Sequence, residues 1–210
     1  MPVEARAMKD LRGFLTSEQV EAMIEGCDNL RDRVLIRLLW RTGMRISELV
    51  RPGKDRSPVL GLRVDNILWD ENALIIRHAK RKGNPPRRID VDPETLAMVR
   101  DYLGRRPEKS EFVIPIGRKM AYLVVRWAAE RVGITEIGDP LVSQRRHPHP
   151  HHLRHSFATQ SVKMTKGNYA DLIRLQRHLG HASVSTTAGY LDIADEEQSE
   201  WYKKVWGEET

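Results

Sequence analysis

Pro150-His151-His152-Leu153-Arg154-His155 is the stretch on which the reading of this 210-residue chain turns. His151 and Arg154 are three apart, so a helix puts both on one face. Pro150 suits the first helical position, where a missing N–H costs nothing. The unpaired N–H groups of a helix start favour an anion, and Arg154 adds a planar, permanently charged fork. Taken alone, the stretch is equally well a basic, solvated helix start. Its meaning comes from what surrounds it.

Lys and Arg outnumber Asp and Glu by 35 to 29, a net charge of +6, which suits a polyanionic partner without establishing one. The only cysteine, Cys27, excludes an internal disulfide and fits a reducing compartment. It falls at a core-like position of its helix, so it reads as packing and not as a nucleophile. No apolar run approaches a membrane span, and the N-terminus lacks the apolar stretch of a signal peptide. The expected setting is the cytoplasm, with no membrane partner.

Outward from the central stretch, the pattern is many helices around one small sheet. Residues 1–14 read as a leader or linker remnant. Thr16-Ser17-Glu18-Gln19 is a capping box, flanked by Leu15 and Val20 as a hydrophobic staple. A second helix over 31–42 is apolar around most of its circumference and reads as central and buried. Residues 51–61 form a loop. Strands are expected at 62–68, 73–78 and 87–91, with a turn at 69–72. Helices follow over about 92–103, 118–132, 152–164 and 168–179, with a long loop at 134–150. A short helix at 184–191 carries Tyr190, and an amphipathic tail helix spans 195–206.

Three further features carry chemistry. Arg45 and Glu48 are three apart in Gly43-Met44-Arg45-Ile46-Ser47-Glu48-Leu49, so a short helix sets them side by side. That is either an arginine steadied by a carboxylate for phosphate binding or an ordinary surface pair. Lys80, Arg81, Lys82, Arg87 and Arg88 surround a turn at Gly83-Asn84-Pro85-Pro86, so a basic hairpin tip reaches a DNA backbone or protects a sheet edge. His147, His149, His151, His152 and His155 invite a metal reading, but no Cys or carboxylate nearby in sequence completes a ligand set, and no metal is expected.

Three clusters in order resemble those of the tyrosine recombinases, also called the phage integrase family. The first is Arg41-Thr42-Gly43-Met44-Arg45-Ile46-Ser47-Glu48-Leu49. The second is His151-His152-Leu153-Arg154-His155-Ser156-Phe157-Ala158-Thr159. The third is Leu179-Gly180-His181-Ala182-Ser183-Val184-Ser185-Thr186-Thr187-Ala188-Gly189-Tyr190. The likeness covers about residues 15–195. It implies an α+β, mostly helical catalytic fold with a small three-stranded antiparallel sheet. It also implies a site-specific recombinase that cleaves and rejoins DNA.

The resemblance assigns roles that make chemical sense. A phosphodiester is inert, so the site must stabilise negative charge building on phosphorus. Arg45 and Arg154 would grip the non-bridging oxygens, His181 would add a hydrogen bond, and Glu48 would hold Arg45. Tyr190 would attack, forming a 3′-phosphotyrosyl bond and freeing a 5′-hydroxyl. The covalent link keeps the bond energy, so no metal, ATP or other cofactor is implied. Free tyrosine has a pKa of about 10, so its proton must be drawn off, and His151 is the acceptor. His155 would be a structural partner within its helix. Lys82, five before Arg87 and followed by Gly83, fits the family's Lys-Gly-x-x-x-Arg pattern for the acid that protonates the leaving oxygen. Lys80 is the alternative, because Pro85 and Pro86 are unusual in this turn. Gly189 either loosens the backbone at Tyr190 or marks close helix packing.

The family usually carries a helical DNA-clamping domain before the catalytic one, and here the catalytic pattern starts near residue 15. The expected domain is therefore 15–210, without that N-terminal core-binding domain. The expected partner is double-stranded DNA, bound as a homotetramer on synapsed sites by a protein that is monomeric when free. The tail, with Trp201 and Trp206, would dock on a neighbouring protomer or on its own core. Two other readings stay open: a DNA-binding accessory module of a larger recombinase, and a type IB topoisomerase-like activity.

Overall fold

The computed structural model describes residues 13–53, 60–77, 86–107, 109–138, 145–165 and 168–180. The chain divides into two compact units, residues 1–157 and 158–210. In the first, α1 (Ser17–Glu25) starts at the expected capping box. The Thr16 hydroxyl accepts the Gln19 N–H at 3.3 Å, and the Gln19 side chain accepts the Thr16 N–H at 2.8 Å. Leu15 and Val20 are both buried beside it.

Helix α2 (Leu30–Thr42) is the central element, with every residue from Val34 to Trp40 buried. One of these is a charge that the apolar reading passed over. Arg37 is 5% exposed, and it is surrounded. It donates to Thr95 Oγ1 at 3.1 Å and to Glu21 at 3.3 Å, and its Nη2 lies 2.9 Å from Glu94. A guanidinium can be buried because its donors are satisfied on several sides.

A short helix, α3 (Ile46–Leu49), follows the turn after α2. The chain then pairs with a distant segment: Val50 bridges Ile114 in parallel, and Arg63 bridges Phe112 antiparallel. Gly61 fits this junction at φ 87°, where a Cβ would lie 2.7 Å from the Val50 carbonyl oxygen and 3.1 Å from the Phe112 ring. No other residue type combines that backbone conformation with that approach.

The three-stranded antiparallel sheet is present, in the order β1 (Ile67–Leu68), β2 (Ala73–Ile76), β3 (Arg87–Asp90). Leu74 faces Ile67 on one side and Ile89 on the other, and Ile76 faces Arg87. The first strand is shorter than its alternation predicts. Val64–Asn66 forms a 3-10 turn instead, because the backbone of 62–64 is committed to the segment at 111–113. Trp69–Glu71 and Asn72 make the expected turn, Asn72 taking the left-handed conformation at φ 48°.

Helix α4 (Pro93–Arg105) is capped by Asp92, whose carboxylate accepts the Thr95 N–H at 2.9 Å. Helix α5 (Arg118–Arg131) follows. The segment expected as a plain loop at 134–150 contains a two-stranded ribbon, β4 (Ile137–Gly138) with β5 (Arg145–Arg146). Helix α6 (Pro150–Met164) begins at Pro150, the position the proline suits, two residues before the expected 152–164 span. Leu153 of α6 belongs to the same buried cluster as α1, α2, the sheet, α4 and α5.

The second unit holds the last turns of α6 and α7 (Tyr169–Leu179). Asn168 caps α7 by accepting the Asp171 N–H at 3.0 Å, and Gly180 ends it in the left-handed conformation. Leu172, Leu175 and Leu179 form its buried stripe. Among the described residues, no helix is long and apolar enough to cross a membrane.

Candidate active site

The site begins at the end of α2. Thr42 is fully buried, and its hydroxyl donates to the Leu38 carbonyl at 2.5 Å and accepts the Met44 N–H at 3.3 Å. Gly43 takes the left-handed conformation at φ 59°, and its N–H caps the helix at Leu39. The chain thus leaves α2 through one fixed turn and delivers Arg45 as the N-cap of α3.

Glu48 stands at the third position of α3 and turns back. Its Oε2 accepts the Arg45 N–H at 2.8 Å, and its Oε1 lies 3.4 Å from Arg45 Nη1. Only this half of the reciprocal cap is made, because an arginine side chain has nothing to accept with. The expected Arg45–Glu48 pairing is present, but the bland reading of a surface pair does not fit: the Glu48 side chain is 0% exposed.

Glu48 has a second and closer partner. Arg87 Nη1 and Nη2 donate to its two oxygens at 3.1 and 2.8 Å. Burial pushes the Glu48 carboxyl up, but the Arg87 hydrogen bonds and charge, then the Arg45 N–H and charge, more than reverse this. The carboxyl lies below its ordinary value and is held as a carboxylate.

Arg87 therefore departs from the expectation of a DNA-facing hairpin residue. Its side chain is 10% exposed and turned inward. The physical reason is strand periodicity: Arg87 and Ile89 share a face, and Ile89 is buried in the core. Arg88, on the opposite face, is half-exposed and flanked by Glu71 and Asp90.

Helix α6 brings the second cluster to the same place. Arg154 is 2% exposed, and its Nη1 donates to the Gly43 carbonyl at 2.7 Å, two residues from Arg45. His151 is exposed, one helical turn earlier, and its ring meets His155 edge-on at 4.4 Å between centroids. The helix start is built from histidines. His149 is the residue before α6, and its Nδ1 accepts the His151 N–H at 3.2 Å. His152 Nδ1 accepts the His149 N–H at 3.2 Å. Both donors are backbone N–H groups, so both Nδ1 atoms must accept, and each ring carries its proton on Nε2. Tyr122 of α5 stacks on His149 at 5.7 Å. Ser156 fixes the helix from the other side, accepting the Leu15 N–H at 2.8 Å and donating to the His152 carbonyl at 2.8 Å.

The structure thus gathers Arg45, Glu48, His151, Arg154 and His155 into one unit, and adds Arg87, His149 and His152 as supports. The sequence carried a signal for Arg87 in its alternation with Ile89. It carried one for the histidines in their three-residue spacing, which is that of a capping box. Lys80, Arg81, Lys82, His181, Gly189, Tyr190 and the tail helix with Trp201 and Trp206 lie outside the described residues. Among the described residues, no group of three or more His, Cys, Asp or Glu side chains converges as a metal site requires.

Helices packed around a three-stranded antiparallel sheet, with an arginine turn joined to a His-x-x-Arg helix, define the catalytic-domain class of the tyrosine recombinases. Residues 13–197 match the phage integrase family, and the chain belongs to that family. It is 27% identical over 206 residues to tyrosine recombinase XerA of Pyrococcus horikoshii, covering 94% of this chain and 62% of that protein. It is 32% identical over 205 residues to tyrosine recombinase XerD of Halalkalibacterium halodurans, covering 90% and 60%. The fold is similar to the crystal structure of XerA recombinase, with a TM-score of 0.69 at 22% identity over 93% of this chain and 66% of that one. It is likewise similar to XerH site-specific recombinase in a post-cleavage complex with its palindromic difH substrate, with a TM-score of 0.67 over 93% and 53%. The chain spans roughly three-fifths of the length of these curated relatives.

Proposed function

We propose that this chain is a site-specific DNA recombinase that cuts and rejoins strands through a 3′-phosphotyrosyl bond at Tyr190. The contact that carries this reading is Arg154 to the Gly43 carbonyl, which ties the His-x-x-Arg helix to the turn that presents Arg45. Two permanently charged groups from distant parts of the chain then flank one place, as stabilising a pentacovalent phosphorus requires. In this reading Arg45 and Arg154 bind the non-bridging oxygens and His181 adds a hydrogen bond. His151 takes the proton of Tyr190, and Lys82, or Lys80, protonates the leaving 5′-oxygen. No metal or nucleotide cofactor takes part, because the phosphotyrosyl bond conserves the energy for religation.

The partner is double-stranded DNA, bound in the cytoplasm. The protein is monomeric when free and acts as a homotetramer on two synapsed sites. Supercoiled plasmid tests the chemistry without knowledge of the target. The protein is incubated with it in EDTA at low salt, and denaturing gels are run for a covalent adduct, with Tyr190→Phe alongside. An adduct that disappears in the variant is expected. Binding without any adduct would sink the catalytic assignment in favour of an accessory DNA-binding module, and EDTA sensitivity would point to metal-dependent hydrolysis.

A further inference from the structure

Glu48 is shared unequally. Arg87 meets it with two donors, at 3.1 and 2.8 Å, from a side chain that is 10% exposed. The Arg45 guanidinium meets it with one donor at 3.4 Å, from a side chain that is 25% exposed. The closest bond from Arg45 to Glu48 comes from its backbone, at 2.8 Å. The carboxylate is therefore held mainly by Arg87, while Glu48 fixes the backbone of Arg45 and engages its guanidinium through a single, longer contact.

A buried carboxylate with one arginine for company draws that arginine in. With two, the charge is already met. We propose that Arg87 is a positioning residue of this site: it occupies Glu48 so that Arg45 stays available to a phosphate. It also fastens the start of β3, the strand that follows the basic residues 78–85 in the chain, to the turn that carries Arg45. The proposal rests on the recombinase reading for its catalytic consequence. The side-chain arrangement itself does not depend on that reading.

Arg87 in this account acts only through Glu48, which a double-mutant cycle tests directly. The set is the wild type, Arg87→Met, Glu48→Gln, and the two together, each checked for a cooperative melt. One readout is the rate of Tyr190 adduct formation at saturating duplex. The other is affinity for an arbitrary duplex as a function of salt, which requires no cleavage. Arg87→Met alone should slow adduct formation on the order of 100-fold, the scale of a misplaced catalytic group. In the Glu48→Gln background the same change should have little further effect on rate, affinity or salt slope.

A loss of about one counterion from the salt slope between Glu48→Gln and the pair would make Arg87 a phosphate contact and overturn the proposal. So would equal losses in the two backgrounds. If Arg87→Met does not fold, the comparison of Glu48→Gln with the pair still decides the matter, because both lack the buried unpaired carboxylate. If the wild type forms no Tyr190-dependent adduct, the recombinase reading falls. The cycle in duplex affinity then stands alone: unequal effects support the positioning role, and equal effects end it.

Discussion

At the scale of single residues, Glu48 makes the site sensitive to acid. Its carboxyl is held below its ordinary value of 4.5, chiefly by Arg87 once the cost of burial is overcome. The folded state therefore binds the proton more weakly than the unfolded chain does. The stabilisation is fully present above that ordinary value and is lost as the pH falls through it towards the folded value. Urea midpoints measured from neutral to acid pH should fall across that window in the wild type and fall less in Glu48→Gln. At neutral pH, Arg87→Met should cost roughly 3–5 kcal/mol, the range for removing one partner of a buried pair, by urea or thermal unfolding. Cys27 offers a control of a different kind. Burial, then the charge of Asp32, push its thiol up to about 11, and its Sγ donates to the Met23 carbonyl. It should resist a thiol reagent at neutral pH until denaturant is added. Arg45, Glu48 and Arg154 were legible in the sequence because motif spacing marks them. The role of Arg87 was not read, because its place in a run of basic residues outweighed the alternation with Ile89 that turns it inward.

At the scale of elements, the informative case is the start of α6. Its reciprocal cap uses His149 and His152 where α1 uses Thr16 and Gln19. His149→Ala removes the acceptor of the His151 N–H and should cost about 1 kcal/mol in unfolding free energy. His149→Ser should recover most of that, since a hydroxyl at the N-cap accepts from the same turn. Failure of serine to recover it would mean that the ring stacked on Tyr122, and not the lone pair, holds the helix. Most elements were readable because caps and periodicity are local. The strand at 62–68 was over-read because its backbone partners lie near residue 112, which alternation does not reveal. The ribbon at 137–138 and 145–146 was missed because two-residue strands carry no period.

At the scale of the whole molecule, a net charge of +6 accompanies a site built from buried arginines that are already engaged within the protein. If duplex DNA is the partner, affinity should fall linearly with salt on a logarithmic plot, by about 0.9 per phosphate engaged. A flat response would contradict the DNA-binding reading. The contact between Arg154 and the Gly43 carbonyl spans 111 positions, and that between Leu15 and Ser156 spans 141. Both have a bearing on synthesis at the ribosome. The turn carrying Arg45 emerges long before the helix that completes it, and the entry to α1 waits longer still. A nascent or truncated chain ending before residue 150 holds a single arginine of the pair, so the arrangement around the Gly43 carbonyl is completed only late in synthesis.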